Sequence, residues 1–180
     1  MIWLARHGET AANAEGRVQG SLDLPLNERG REQARALAEE AAALGLRAIY
    51  TSQLDRARET AQIVGERVGL EPLIDERFAE SRRGAWEGRL LREIEAEEPE
   101  AWGAWQRGGD FRFPGGGESL PEHVARVAEA LAGVEAGGLP ALVVCHGGSV
   151  RAALVARGRP IEEFQRIAVP NAALFALEGA

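Results

Sequence analysis

The 180-residue chain contains no lysine; all twenty-one of its basic side chains are arginine. That excludes a Schiff-base lysine and the lysine of a P-loop. It also weakens any argument from a single Arg, since so biased a composition can place one anywhere. The one cysteine, Cys145, has no partner for an internal disulfide and cannot build a multi-cysteine metal site, which fits a reducing compartment. No apolar run approaches the roughly 18 to 20 residues that span a bilayer, and the N-terminus lacks the basic region and apolar stretch of a secretory signal. A cytoplasmic protein is expected. The net charge of −7 disfavours nucleic acid and anionic membrane as partners, so an anionic ligand would need a local cationic patch. Internal repeats and low-complexity tracts are also missing.

What is present, at 45% hydrophobic residues, suffices for one domain over residues 1–180. Three short apolar runs, Ile2 to Ala5, Ala48 to Thr51 and Ala141 to Cys145, read as buried parallel strands. Helical periods lie between them. One starts at Asn27 as N-cap and runs through Ala34, Leu37, Ala38, Ala41 and Leu44 to Gly45; the next uses Leu54, Ala57, Ala61, Val64 and Val68 and stops at Gly69. A third uses Val124, Val127, Leu131 and Val134 behind a Ser119/Glu122 capping box. This alternation predicts an α/β fold, a three-layer α/β/α arrangement around a mainly parallel sheet. The tail "IAVPNAALFAL" reads as a last strand interrupted at Pro170, and the acidic Glu93 to Glu100 stretch as a solvated helix face. Residues 102–117, "WGAWQRGGDFRFPGGG", show no sustained period and read as a long loop, either a lid or an aromatic cover for the end of the sheet.

Three predicted strand ends carry chemistry. The first runs into Arg6-His7-Gly8-Glu9-Thr10, the second through "TSQLDRARETA" to Arg56, the third into His146-Gly147-Gly148. In a parallel sheet all three lie along one edge, where open α/β folds keep their sites. Two imidazoles, two guanidiniums and the N–H groups of a helix opening at about Val150 make an anion site. Each piece has a plainer reading: a His after a strand can be a structural hydrogen-bonder, and Arg56 a helix-surface residue. His123, beside Glu122 on a predicted helix, is assigned to the surface. A rival chemistry overlaps the third strand end, because Cys145 to Arg151 has the C-x5-R spacing of cysteine phosphatases. An inert core thiol continuing Leu142-Val143-Val144 accounts for Cys145 as well.

"RHGET" at 6–10 with Asn13, "GRVQG" at 16–20, "LPLNERG" at 24–30, "TSQLDRARETA" at 51–61, "FAESRRGAWEG" at 78–88, "GGGES" at 115–119 and "VVCHGGSVR" at 143–151 together resemble the histidine phosphatase superfamily, which includes the cofactor-dependent phosphoglycerate mutases. The likeness runs in order along nearly the whole chain and implies a phosphoglycerate mutase-like fold. It implies that His7 is the nucleophile that takes the phosphoryl group, that Arg6, Arg56 and His146 hold its oxygens, and that Glu80 is the proton donor. Glu9 and Glu87 remain rivals to Glu80. Asn13, Gln19, Gly20 and Gly147 are expected to line the phosphate or leaving-group side, with Glu118 and Ser119 shaping a loop-to-helix junction. Forked guanidiniums suit a transition state whose charge lies on equatorial oxygens. Chemistry would want His7 neutral, His146 protonated and the Glu80 pKa raised by an apolar wall.

After the expected acid, the mutases read Arg-His-Tyr-Gly, whereas this chain reads Ser81-Arg82-Arg83-Gly84 and then Trp86-Glu87-Gly88. The chain also lacks a segment that the mutases carry before "GGGES". The resemblance thus implies a metal-independent phosphatase of a small phosphorylated metabolite. A mutase needing 2,3-bisphosphoglycerate as cofactor, and a non-catalytic phospho-ligand-binding module, are the alternatives. Arg82, Arg83, Arg107 and Arg112 are candidates to meet a carboxylate or second phosphate on the substrate. The oligomeric state is not legible in the sequence.

Overall fold

Alternation of side chains along the short apolar strands decides the layering. The computed structural model describes residues 1–177, so the last three residues of the expected domain lie outside the described residues. Strands β1 (Ile2–Arg6), β2 (Ala48–Thr51), β3 (Leu73–Ile74), β4 (Ala141–Cys145) and β5 (Leu174–Leu177) form one sheet in the order β3-β2-β4-β1-β5. The first four run parallel and β5 lies antiparallel on β1; of the expected tail strand only Leu174–Leu177 forms, and the residues before Pro170 are not in a strand.

Leu4, Val143 and Cys145 face Val127, Leu131 and Val134 of α6 (Leu120–Gly137) and Val150 of α7 (Gly147–Ala156). Their neighbours Ala5, Leu142 and Val144 face Leu37, Ala38 and Ala41 of α2 (Glu28–Ala41) and Ala61 and Val64 of α3 (Asp55–Val68). Period two along each strand thus feeds two cores. Every residue of β4 is buried, as a central strand covered on both faces requires. Helix starts follow the expected chemistry: Asn27 Oδ1 accepts the Gly30 N–H at 2.8 Å, and Ser119 and Glu122 form a capping box. Each such cap contributes about 1 kcal/mol.

Strand β4 is inserted between β1 and β2, yet the chain leaves β1 towards α2 on one face and leaves β4 for α7 on the other. A crevice opens between such strands at their C-terminal ends. Helix α7 begins at Gly147, three residues earlier than predicted, with His146 in extended backbone as its N-cap. Among the described residues no helix is long and apolar enough to cross a membrane.

Three expectations are corrected. Residues 102–107 of the stretch read as a long loop are helical: after α1 (Ala11–Glu15) and α4 (Leu91–Glu97), α5 (Pro99–Arg107) starts with a proline in its first turn and ends at Gly108. Trp102 and Trp105, three apart, pack on the buried Trp86 together with Phe111 and Phe113. Two helical turns are too few to show a period in the sequence. The acidic stretch is likewise broken at Glu98, whose Oε2 accepts the Trp86 indole N–H at 2.9 Å. His123 is not on the surface; it is fully buried on the inner face of α6.

Candidate active site

His7 is the first residue past β1, and its N–H donates to the Cys145 carbonyl at 2.9 Å, which fixes its backbone beside His146. The ring is buried, with Nδ1 2.6 Å from the Gly8 carbonyl. A carbonyl only accepts, so Nδ1 carries the proton and Nε2 keeps its lone pair. Burial, then the charges of Arg56 and Arg6, hold the imidazole well below its usual pKa, leaving it neutral as a nucleophile must be. The Gly8 N–H donates to Thr60 Oγ1 at 3.1 Å, and Thr60 donates to the Arg56 carbonyl at 2.7 Å, so the His7 loop and α3 are tied together. Gly8 packs on the first turn of α2 at Gly30 so closely that a Cβ on either glycine would overlap the backbone opposite. This is why "RHGET" and "LPLNERG" both carry glycine.

Arg56 is fully buried in the first turn of α3, not on a helix surface. It donates to the carbonyls of Leu22 at 2.6 Å and Gly20 at 2.7 Å, while Arg6 donates to that of Val169 at 2.7 Å. Each keeps a buried Nε with no protein partner. Burial lowers Arg56 to about 10, still a cation at neutral pH. The His146 ring centroid lies 5.2 Å from that of His7, and its Nε2 is 2.7 Å from Ser52 Oγ. Burial, Arg56 and His7 push His146 well below its ordinary pKa, so the expected imidazolium is absent. Ser52 Oγ accepts the Leu54 N–H at 3.4 Å, and when its hydroxyl donates to Nε2 the imidazole hydrogen lies on Nδ1. That Nδ1 is buried without a protein partner.

Glu80 Oε2 accepts the Gly148 N–H at 2.9 Å, Oε1 accepts the Ser81 N–H at 2.9 Å, and Arg83 Nη2 stands 3.4 Å away. Burial alone would raise this carboxyl, as expected from sequence. Arg83, the nearby imidazoles and the Gly148 N–H outweigh it and hold Glu80 well below the usual range, so it is ionised in the resting protein. The rivals are engaged elsewhere: Glu87 accepts from Ser21 and the Arg83 N–H, and Glu9 from Asn27. Burial also pushes the Cys145 thiol up, away from the thiolate that a cysteine phosphatase needs.

Arg6, His7, Arg56, Glu80, Asn13, Gln19, Gly20 and Gly147 all line one cleft of about 310 Å³, with His146 buried behind it. Arg17, Arg83, Trp105, Arg151 and Gln165 line it too. Of these, the sequence offers Arg83 as a substrate contact and Arg151 only through the C-x5-R spacing, and it gives no signal for Arg17, Trp105 or Gln165. Arg82 faces a different hollow, Arg112 pairs with Glu122, Arg107 is not in the cleft, and Glu118 pairs with Arg126. A larger hollow of about 490 Å³ beside β2, β3 and α3 contains none of the site groups. Among the described residues no cluster of three or more His, Cys, Asp or Glu is placed to hold a metal ion.

A phosphoglycerate mutase-like protein of Arabidopsis thaliana is 41% identical over 88% of this chain and 71% of its own length. A mycobacterial glucosyl-3-phosphoglycerate phosphatase, solved as a complex with VO3, superposes with a TM-score of 0.87 at 35% identity, covering 96% of this chain and 88% of that one. A putative alpha-ribazole-5′-P phosphatase from Escherichia coli gives 0.79 at 32% identity, covering 92% and 83%. The model of branch 1 of the histidine phosphatase superfamily matches residues 2–180, and the chain belongs to that superfamily.

Proposed function

We propose that the chain is a phosphomonoesterase that takes the phosphoryl group of a small phosphorylated metabolite onto His7 Nε2 and passes it to water. One observation carries the reading: the Gly8 carbonyl fixes the His7 tautomer with Nε2 free, in a cleft where Arg6 and Arg56 have unpartnered buried donors. The N–P bond forms as the ester P–O bond breaks, and the leaving oxygen takes a proton from Glu80. Water then attacks the phosphohistidine with Glu80 as base, releasing inorganic phosphate and restoring His7. Arg6, Arg56 and the His146 N–H stabilise charge on the phosphoryl oxygens throughout, with no metal in either step. Glu80 is ionised at rest, so it must gain its proton with the substrate; a bound phosphate dianion beside it favours that by the same electrostatics that now disfavours it.

Hydrolysis is favoured over isomerisation by the Ser81-to-Gly88 stretch. Glu87 ties Ser21 to the Arg83 backbone there, and Arg83 stands where the mutases carry tyrosine. Arg17, Arg83 and Arg151 give the cleft more positive charge than one phosphate balances, which favours substrates with a second acidic group. The test is incubation with 3-phosphoglycerate, with and without 2,3-bisphosphoglycerate, following inorganic phosphate and 2-phosphoglycerate. Phosphate release alone, unaffected by chelator, supports the phosphatase. Isomerisation that depends on the bisphosphate would make the chain a mutase.

A further inference from the structure

Glu80 sits between two 3-10 turns, Glu76–Phe78 and Gly84–Trp86, with no strand or helix of its own to hold it. A proton donor on irregular backbone must be fixed by contacts from rigid elements. Those contacts come from α6 and α7. Ser149 Oγ lies 3.1 Å from the Phe78 carbonyl and 3.0 Å from that of Ala79; Arg126 donates to the carbonyls of Arg77 and Ala79 at 2.7 and 3.0 Å. Three successive carbonyls before Glu80 are thereby pinned by side chains. Since carbonyls only accept, the Ser149 hydroxyl hydrogen is committed to them, and the His123 Nε2 at 3.1 Å must be the donor to Ser149 Oγ.

His123 is an expensive choice for that position. It is fully buried, and its Nδ1 has no partner, a desolvation cost that an apolar residue would avoid. Nor is it needed to dock α6, which already packs through Val127, Leu131 and Val134. Ser149, in turn, stands in the first turn of α7 directly after Gly147 and Gly148, which line the cleft. We propose that His123 and Ser149 are positioning residues for Glu80: His123 orients the Ser149 hydroxyl, and Ser149 holds the 78–79 backbone so that the carboxyl reaches the leaving oxygen. This rests on the phosphatase reading and on Glu80 as its acid.

The experiment compares ethyl phosphate, whose leaving group needs a proton, with p-nitrophenyl phosphate, whose leaving group does not. Glu80→Gln, Ser149→Ala, His123→Phe, His123→Gln and the Glu80→Gln/Ser149→Ala double variant are assayed, with thermal melts to verify folding. Ser149→Ala and His123→Phe should lower kcat on ethyl phosphate about 10-fold or more and on the aryl ester less than about 3-fold. The double variant should be no worse on ethyl phosphate than Glu80→Gln alone, because the residues act through one group. His123→Gln, which offers an amide N–H near the Nε2 position, should recover most of the loss. Equal slowing of both esters, or losses that add to Glu80→Gln, would overturn the proposal, and should Ser149→Ala not fold, the two His123 variants decide it alone. If Glu80→Gln itself shows no difference between the esters while phosphate is still released, the acid assignment fails and takes the positioning role with it, leaving the His7 chemistry intact.

Discussion

Glu80 Oε2 and the Gly148 N–H, 2.9 Å apart, join the loop that carries the carboxylate to the helix that follows His146. A Cβ at position 148 would overlap that carboxylate, so any side chain there must displace Glu80. Gly148→Ala should push Glu80 aside while α7, whose backbone tolerates alanine, still forms. A displacement on the order of 1 Å can cost about 100-fold in rate. The expected result is a kcat on alkyl phosphates lower by roughly that factor with a Tm within a few degrees of the parent. A variant with unchanged kcat would show that the contact does not hold the acid.

His7→Ala should remove turnover by at least about 10³-fold, since a nucleophile has no substitute in the cleft. Rapid quenching of the parent with radiolabelled substrate should trap an acid-labile, alkali-stable phosphoryl-protein that the variant does not form. Retained turnover in His7→Ala would remove the nucleophile assignment whatever the trapping shows.

All three histidines of the chain are buried and held below their ordinary pKa, His7 and His146 well below it and His123 at about 4, with desolvation the first cause in each. Below pH 6.5 the unfolded chain therefore binds protons that the folded one refuses, and stability must fall as pH drops through that window towards 4. Between pH 7.5 and 5.5 each such group removes on the order of 1 kcal/mol, so the three together remove a few kcal/mol. Urea midpoints at the two pH values measure this. A midpoint that does not move would mean that the imidazoles titrate normally in the folded protein.

Much of this was legible because strands and caps speak locally. β1 and β4 announce themselves as apolar runs ending in histidine, and Asn27 and Ser119 mark helix starts by chemistry alone. Arg56 was ambiguous because the carbonyls that anchor it, at Gly20 and Leu22, are remote in sequence and invisible to any period. His123 was misplaced although a signal existed: it lies four residues before Val127 and eight before Leu131, on the apolar face of its helix. The ionised state of Glu80 could not be read, because it depends on Arg83 and on a backbone N–H sixty-eight positions away.

Cys145 is 1% exposed within the core, and burial pushes its thiol up, so it contributes packing and no nucleophile. Cys145→Ala should keep kcat within about 2-fold and cost about 1 kcal/mol through the small cavity it leaves. Thiol reagents should label the protein only on unfolding. A folded but inactive Cys145→Ala would restore the C-x5-R mechanism.

Arg83 is the cation nearest to the Glu80 carboxylate, and its guanidinium lies 4.5 Å from the Phe113 ring centroid, so its position is set by packing as well as charge. Replacing it with methionine keeps most of that packing and removes the charge. Without Arg83 the ionised form of Glu80 loses its strongest support, so its pKa must rise. The basic limb of the pH–rate profile for an alkyl phosphate, which reports the protonated acid, should then move to higher pH. The same limb for an aryl ester that needs no proton should stay where it is. Because Arg83 also lines the cleft, KM for a substrate with a second acidic group should increase more than KM for one without. A basic limb that stays put in Arg83→Met would mean that Glu80 is not the group whose proton the leaving oxygen receives.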